Sequence, residues 1–256
     1  MLISLNYLIK KYHLNISGLS HFGAHLGQEI NTYLENEIVN IHLFEPQAVI
    51  FNQLYEKYKE IRYLNFYNFG LGNENKNVIM YLDNSNSESS SILKPKTHLD
   101  LYPNIGFEDT EDIEIKIYDD LTINNVNFLN IDIQGYELEA LIGCKKSMDV
   151  IDYIYTEINN EEVYEDCVLV KDLDKFLDKY DFVRVETSWY EGIAWGDAFY
   201  IKKTKIGKSK YIKAKIFNFL LRSKIFSYIN YYFKYFEIKI NKQWYKFKQK
   251  IKSYIR

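Results

Sequence analysis

Between residues 16 and 203 the apolar positions switch between short continuous runs and stripes spaced three and four apart, the pattern of strands exchanging with amphipathic helices. Ile16 to Phe22 reads as the first strand. Leu26, Ile30, Leu34 and Ile38, with Tyr33 beside them, form the stripe of a helix, and Val39 to Phe44 is the second strand. A helix opening at Pro46 is expected to bury Val49, Ile50, Leu54, Tyr58 and Ile61; proline suits that first turn because its missing N–H has no partner to lose there. Arg62 to Phe69 is a third strand, closed by Gly70-Leu71-Gly72-Asn73, and Asn77 to Leu82 is an added one. The polar run Asp83 to Ser91 is too rich in Ser and Asn for core, and reads as a loop beside a ligand or as a mobile lid. Residues 94–112 are expected to be irregular, after which Ile113, Ile115 and Ile117 alternate with charged neighbours as a half-exposed strand.

Val126 to Ile133 is apolar except for Asn127, Asn130 and Asp132, which marks a strand covered on both faces. Gly135 ends it, and Leu138, Leu141 and Ile142 begin the next helix. Tyr153 to Ile158 is another buried strand, and Leu169, Leu173, Phe176, Leu177 and Tyr180 share one helix face. Phe182 to Ser188 and Ala198 to Ile201 close the series, joined through Trp189 to Asp197 with no helix between them. Such alternation demands a parallel sheet with helices on both faces, and the last pair puts one reversed strand into it. The expected fold is α/β and Rossmann-like: a seven-stranded, mostly parallel sheet with one antiparallel strand.

Charge divides the chain. Residues 204–256 carry 15 Lys and Arg against one acid, Glu237, whereas residues 1–203 carry 17 against 34 acids, so the body itself does not read as a nucleic-acid binder. One core at residues 1–203 with a basic appendage at 204–256 follows. In the appendage Ile212, Ile216, Phe219, Ile225, Ile229, Phe233 and Phe236 recur mostly at three- and four-residue intervals, which predicts a helical C-terminal extension. Its basic amphipathic face suits an anionic membrane surface, the acidic body, or a second copy in a homo-oligomer. Met1 to Lys11 places its lysines after a short apolar run, the reverse of a signal peptide, and reads as a short docking helix. No apolar run approaches the ~20 residues that span a bilayer. Cys144 and Cys167 have neither zinc nor disulfide spacing, so the expected location is the cytoplasm, with the tail offering a peripheral seat at the inner face of the membrane.

Candidate chemistry gathers where strands end. The run Leu19-Ser20-His21-Phe22 breaks at Gly23 and turns through Gly27 into helical period, and Phe44-Glu45-Pro46 ends the next run with a carboxylate. Glycines there let backbone approach a ligand and the acid suits a ribose, as in a nucleotide-binding βαβ unit. Gly23-Ala24-His25-Leu26-Gly27 lacks the third glycine of G-x-G-x-x-G, which disfavours a nicotinamide dehydrogenase.

With Gly70-Leu71-Gly72-Asn73 and Phe128-Leu129-Asn130-Ile131-Asp132-Ile133-Gln134-Gly135-Tyr136-Glu137 following in order, these motifs resemble the FkbM family of class I S-adenosylmethionine-dependent methyltransferases, over about residues 15–203. Tyr155-Thr156-Glu157 and Trp195-Gly196-Asp197-Ala198 stand where that family has an acid-ended strand and a Gly-Asp hairpin. The resemblance implies S-adenosylmethionine as cofactor and S-adenosylhomocysteine as product. It implies Gly23, Ala24 and Gly27 passing under the methionine part with His21 beside them, Glu45 accepting from both ribose hydroxyls, Leu71 packing on adenine, and Asp132 facing the transfer centre. Two positions depart from the family's pattern: His21 replaces an acid that partners the cofactor's amino group, and Gln134 replaces a common Glu.

Methyl transfer to oxygen needs alignment and removal of a hydroxyl proton. Asp132 is the first candidate base and His98 the second, with Glu157, Trp195 and Asp197 as substrate-positioning groups. A divalent metal beside the reacting hydroxyl, held by Asp132, Glu157 and Asp197, is compatible with this spacing but not required by it. Each residue also has a plainer reading: Asp132 as a cap for the helix after Gly135, His98 as a surface histidine, Trp195 as packing. By analogy the expected acceptor is a small molecule, a sugar hydroxyl of a nucleotide-activated sugar for capsule or other surface polysaccharide. The alternatives are an RNA or other small-molecule methyltransferase, and a non-catalytic membrane- or partner-binding module on the same fold, for which His21 is the sequence support.

Overall fold

Read from the amino end, the chain forms α1 (Leu5–Tyr12), β1 (Leu19–Phe22), α2 (Ile30–Glu35), β2 (Ile41–Phe44), α3 (Ala48–Tyr58), β3 (Leu64–Tyr67), β4 (Gly70–Leu71), β5 (Lys76–Leu82), α4 (His98–Leu101), β6 (Asp109–Lys116), β7 (Phe128–Ile131), α5 (Glu137–Ile142), β8 (Tyr153–Asn159), α6 (Val170–Asp178), β9 (Phe182–Trp189), β10 (Trp195–Lys202) and α7 (Lys208–Arg222). This computed structural model describes residues 1–85, 87–102, 104–190 and 194–222. The chain divides into two units, Met1–Tyr211 and Ile212–Arg256, and of the second only the end of α7 is described. The expected apolar stripe from Ile225 to Phe236 lies outside the described residues.

The main sheet has the order β3-β2-β1-β7-β8-β10-β9. β1 pairs in parallel with both β2 and β7, whereas β10 runs antiparallel to β8 and β9, the reversed strand expected from the helix-free link. Neighbouring positions of each strand face opposite layers. On one side Leu129, Ile131, Ile154 and Ile158 meet Ala140 and Leu141 of α5 and Leu173 and Leu177 of α6. On the other, Phe199 stacks on both Phe128 and Tyr153, and Tyr12 of α1 closes on Phe199 at 6.0 Å. Each fully buried leucine of these layers contributes roughly 1.5–3 kcal/mol. A buried ion pair ties α6 to the sheet: Arg184 Nε and Nη2 each donate to Asp174 carboxylate oxygens at 3.1 Å, and Tyr200 donates to the same group.

Three local expectations are corrected. Val49, placed on the buried face of α3, is 66% exposed, while Ile50, Leu54 and Tyr58 carry that face. The helix expected from Leu26 is confined to Ile30–Glu35, because positive φ at His25 and Gly27 makes the preceding segment a succession of turns. Residues 94–112 are not wholly irregular: they hold α4, and β6 begins at Asp109, its backbone paired with β5 in a second sheet of order β4-β6-β5. Charged side chains along β6 hid that strand from the apolar pattern, and only Ile113 and Ile115 are buried, against Met80. Among the described residues no helix is long and apolar enough to cross a membrane.

Candidate active site

Because β1 leads away through β2 and β3 while β7 leads away through β8, the sheet's switch point lies between β1 and β7, where open α/β sheets take ligands. Gly23 ends β1 there with φ +80°, and a Cβ on it would sit 1.9 Å from the Asp132 carbonyl oxygen, so only glycine lets the two strand ends lie this close. Two compartments open from this point. A narrow slot of about 60 Å³ is lined by Phe44, Glu45, Leu71, Ile133 and Tyr136. A wider cleft of about 460 Å³ is lined by His21, His98, Glu157, Trp195 and Asp197. Gly23, Asp132 and Gln134 belong to both.

Glu45 follows β2 directly and is buried in the slot, where its oxygens accept the N–H of Gln47 at 2.9 Å and of His25 at 3.0 Å. Burial pushes its carboxyl up to about 7, against the pull of those two hydrogen bonds. Each oxygen keeps lone-pair capacity for a ligand hydroxyl. With Leu71, Phe44, Ile133 and Tyr136 as apolar walls, the slot offers a flat nucleoside an apolar seat and one well-placed carboxylate. That donor set fits the adenosyl part of S-adenosylmethionine.

The cleft gathers acids from four strand or loop ends. Asp132 is exposed to the cleft yet enclosed by its walls, and that enclosure, with the nearby Asp197 carboxylate, pushes its carboxyl up to about 6. Glu157 is pushed well up by burial and then by the charges of Asp132, Glu137 and Asp197. Asp197, raised by burial, accepts from the Tyr155 hydroxyl and from the Leu2 N–H at 2.5 Å. Gln134 sits at φ +53° and its amide donates to Asp132 at 2.8 Å and to Glu157 at 2.9 Å, while its oxygen accepts from Tyr164. A glutamate here would add a further carboxylate to this group; the amide instead bridges two of them. At the rim, Glu29 pairs with the Met1 amino group at 3.5 Å.

His98 is buried rather than a surface residue, packed against Tyr102, Phe107 and Tyr164, with no hydrogen-bond partner for its Nδ1 among the described residues; burial lowers its pKa. Trp195 stacks on Tyr190 at 4.6 Å and donates from its ring to Tyr102. The Ser-rich segment lies against the site, fixed by Asp83, whose carboxylate accepts from the N–H groups of Ser85 and Ser89; the Ser89 carbonyl oxygen lies 2.9 Å from the Tyr164 hydroxyl and shares its one proton with Gln134.

Ala24 and Gly27 line neither compartment. Ala24 is fully buried, and the space at Gly27 is taken by Ile30, Leu54 and Tyr58, so that glycine serves helix packing. Among the described residues no group of three His, Cys, Asp or Glu side chains is placed to hold a metal ion. Glu137 escaped the sequence reading, where it looks like an ordinary acid in a first helical turn. It is fully buried, is pushed up to about 7 by that burial, and accepts the N–H groups of Ile133 and Gly135, fixing the turn that aims Gln134.

Comparison with known proteins agrees with this geometry. A 2-O-methyltransferase, NoeI, of Sinorhizobium fredii (strain NBRC 101917 / NGR234) is 21% identical over 172 residues, 63% of this chain and 71% of that protein. The crystal structure of a methyltransferase FkbM from Methylobacillus flagellatus KT superposes with a TM-score of 0.51 at 15% identity, covering 72% of this chain. This chain spans 43% of the length of that protein. The model of the methyltransferase FkbM domain matches residues 21–184, from the end of β1 into β9, a stretch that holds the whole lining of the slot and, in the cleft, Asp132, Gln134 and Glu157, and the chain belongs to the FkbM methyltransferase family.

Proposed function

We propose that this protein transfers a methyl group from S-adenosylmethionine to a sugar hydroxyl. The observation that carries the reading is a carboxylate-bearing apolar slot that opens, at Asp132, into an acid-rich cleft with a stacked aromatic wall. When bound, S-adenosylmethionine supplies a methyl group activated on a sulfonium. Glu45 holds the ribose hydroxyls, and Leu71 and Tyr136 wall the adenine. Asp132 stands where both compartments meet and takes the proton of the attacking hydroxyl as its oxygen bonds to the methyl carbon and the carbon–sulfur bond breaks. His98 is the second candidate for that proton. Glu157 and Asp197 accept from further hydroxyls of the acceptor, and Trp195 on Tyr190 gives a sugar ring a flat apolar face. Alignment in such a site supplies about 7–11 kcal/mol in favourable cases, and a positioned base about 10²- to 10⁴-fold.

The relative named a 2-O-methyltransferase supports an oxygen acceptor. A surface polysaccharide as destination, and work at the cytoplasmic face of a membrane, rest on the family analogy. Among the described residues the cleft lining includes acids but no Lys or Arg, which weighs against RNA and requires a nucleotide-activated acceptor to keep its diphosphate outside. The test is transfer of labelled methyl from S-adenosylmethionine to a panel of neutral sugars and glycosides. Transfer that Asp132→Asn reduces at least a hundredfold, with cofactor binding intact, supports the reading; binding of S-adenosylhomocysteine without transfer to any sugar removes the sugar, and no binding removes the whole reading.

A further inference from the structure

The reading of the cleft leaves His21 without a role. It lies in mid-strand in β1, 2% exposed, at the floor of the cleft. Its surroundings decide more about it than its residue type does. The side-chain amide of Asn130, on the neighbouring β7, donates to the Tyr33 hydroxyl at 2.7 Å, and that hydroxyl lies 3.2 Å from His21 Nδ1. The Tyr33 ring meets the imidazole edge-on at 5.9 Å. All three side chains are buried, and those of Tyr33 and His21 have no other hydrogen-bond partner among the described residues.

A hydroxyl has one proton to give. Once Tyr33 oxygen accepts from Asn130, its own proton has a single acceptor within reach, His21 Nδ1. In the setting seen here Asn130 keeps one N–H and its carbonyl oxygen unpaired among the described residues; the opposite setting would leave both N–H groups unpaired. His21 Nδ1 therefore carries no proton, and in a neutral ring the proton sits on Nε2, the atom left to face the cleft. Burial supports the neutral ring by lowering the His21 pKa to about 4.

A ligand seated with its ribose at Glu45 passes Gly23, which lines both compartments, on its way to His21. The amino-acid end of such a cofactor carries an ammonium and a carboxylate. Acids abound here for the ammonium, namely Glu29, Asp132 and Asp197. The carboxylate needs a donor in a cleft whose described residues include no Lys or Arg, and the Met1 amine is already paired with Glu29.

We infer that Asn130 and Tyr33 hold His21 as the Nε2–H tautomer and that this N–H binds the carboxylate of the cofactor's methionyl end. The inference rests on the methyltransferase reading and makes the histidine a positioning device in its own right, set by a relay that runs from β7 through α2 to β1. It reverses the polarity of the spot: an acid accepts there, whereas this imidazole donates.

Two measurements test it. Long-range proton–nitrogen NMR of protein carrying labelled histidine reads the tautomer directly: Nδ1 unprotonated and Nε2 protonated at pH 7 is expected, with Tyr33→Phe losing the fixed assignment. Calorimetric titration then compares S-adenosylhomocysteine with 5′-methylthioadenosine, which lacks the amino-acid end. His21→Asp and Tyr33→Phe are expected to weaken the first at least tenfold and threefold respectively, and to leave the second within twofold of wild type, which also shows that the variants are folded. An Nδ1–H ring in the wild type, or equal losses for the two ligands, overturns the inference while the cofactor site stands. Wild-type protein that binds neither ligand overturns the underlying methyltransferase reading and this inference with it.

Discussion

Replacing Glu45 with Gln keeps its size and removes its charge, and the structure sets what should follow. The Glu45 carboxyl is raised by burial to about 7. Ribose hydroxyls donate to the ionised form, so binding drives the proton off. For a group of pKa about 7, affinity at pH 6 should then be about tenfold weaker than at pH 8, with close to one proton released per ligand bound at pH 6. At pH 8 the Gln variant loses one charge-assisted hydrogen bond of about 1.5–3 kcal/mol, a loss of roughly 10- to 150-fold. The same shift has a signature without ligand. Between the unfolded carboxyl's value near 4.5 and about 7 the folded protein holds a proton that the unfolded chain has released, so stability falls as pH rises through this window. The loss amounts to about 3 kcal/mol from this group at 1.36 kcal/mol per unit. Gln cannot titrate, so the stability difference, variant minus wild type, should grow by that amount from pH 4.5 to 8. The assays are calorimetry with S-adenosylhomocysteine in buffers of different ionisation enthalpy, and urea unfolding across pH. Wild-type affinity that is flat between pH 6 and 8, or a Gln variant that binds equally well, would refute the assignment of Glu45 as the ribose ligand.

Turnover under saturating substrates should rise about tenfold per pH unit below about 6 and level off above it, because Asp132 must be ionised to take the hydroxyl proton; a flat profile from pH 5 to 7 would exclude it as base. Arg184→Met takes the guanidinium from the buried Asp174 carboxylate and should cost about 3–5 kcal/mol in urea unfolding, most of it recovered by adding Asp174→Leu; a single-variant cost under about 1 kcal/mol would contradict the pair's burial. Leu54→Ala should cost about 2–5 kcal/mol, whereas Val49→Ser on the same helix should stay within about 0.5 kcal/mol, and the reverse order would put the wrong face of α3 inward.

The sequence by itself determined the alternation of elements and the places where chemistry could stand. Apolar runs stop where strands leave the core, so Glu45 after β2 and Asp132 after β7 were legible as carboxylates at strand ends, and a family resemblance covering most of the body could name their surroundings. Local pattern reached its limit where a residue's environment comes from another part of the chain. Nothing near Val49 says which side of α3 meets the sheet, and nothing near Asp109 says that β5 will pair with it. Gln134 stood as the loss of an acid until Asp132 and Glu157 were seen on either side of its amide, and Glu137 had no role in the sequence beyond its place in a motif, whereas its carboxylate holds the turn. His21 is the sharpest case. Its register against Leu43 and Asn130 is fixed by strand pairing, and its proton by Tyr33 from a helix twelve residues on. Periodicity is a local property of the chain, whereas strand order, burial and the sharing of a hydrogen are settled only when segments far apart in sequence compete for the same space and the same lone pairs.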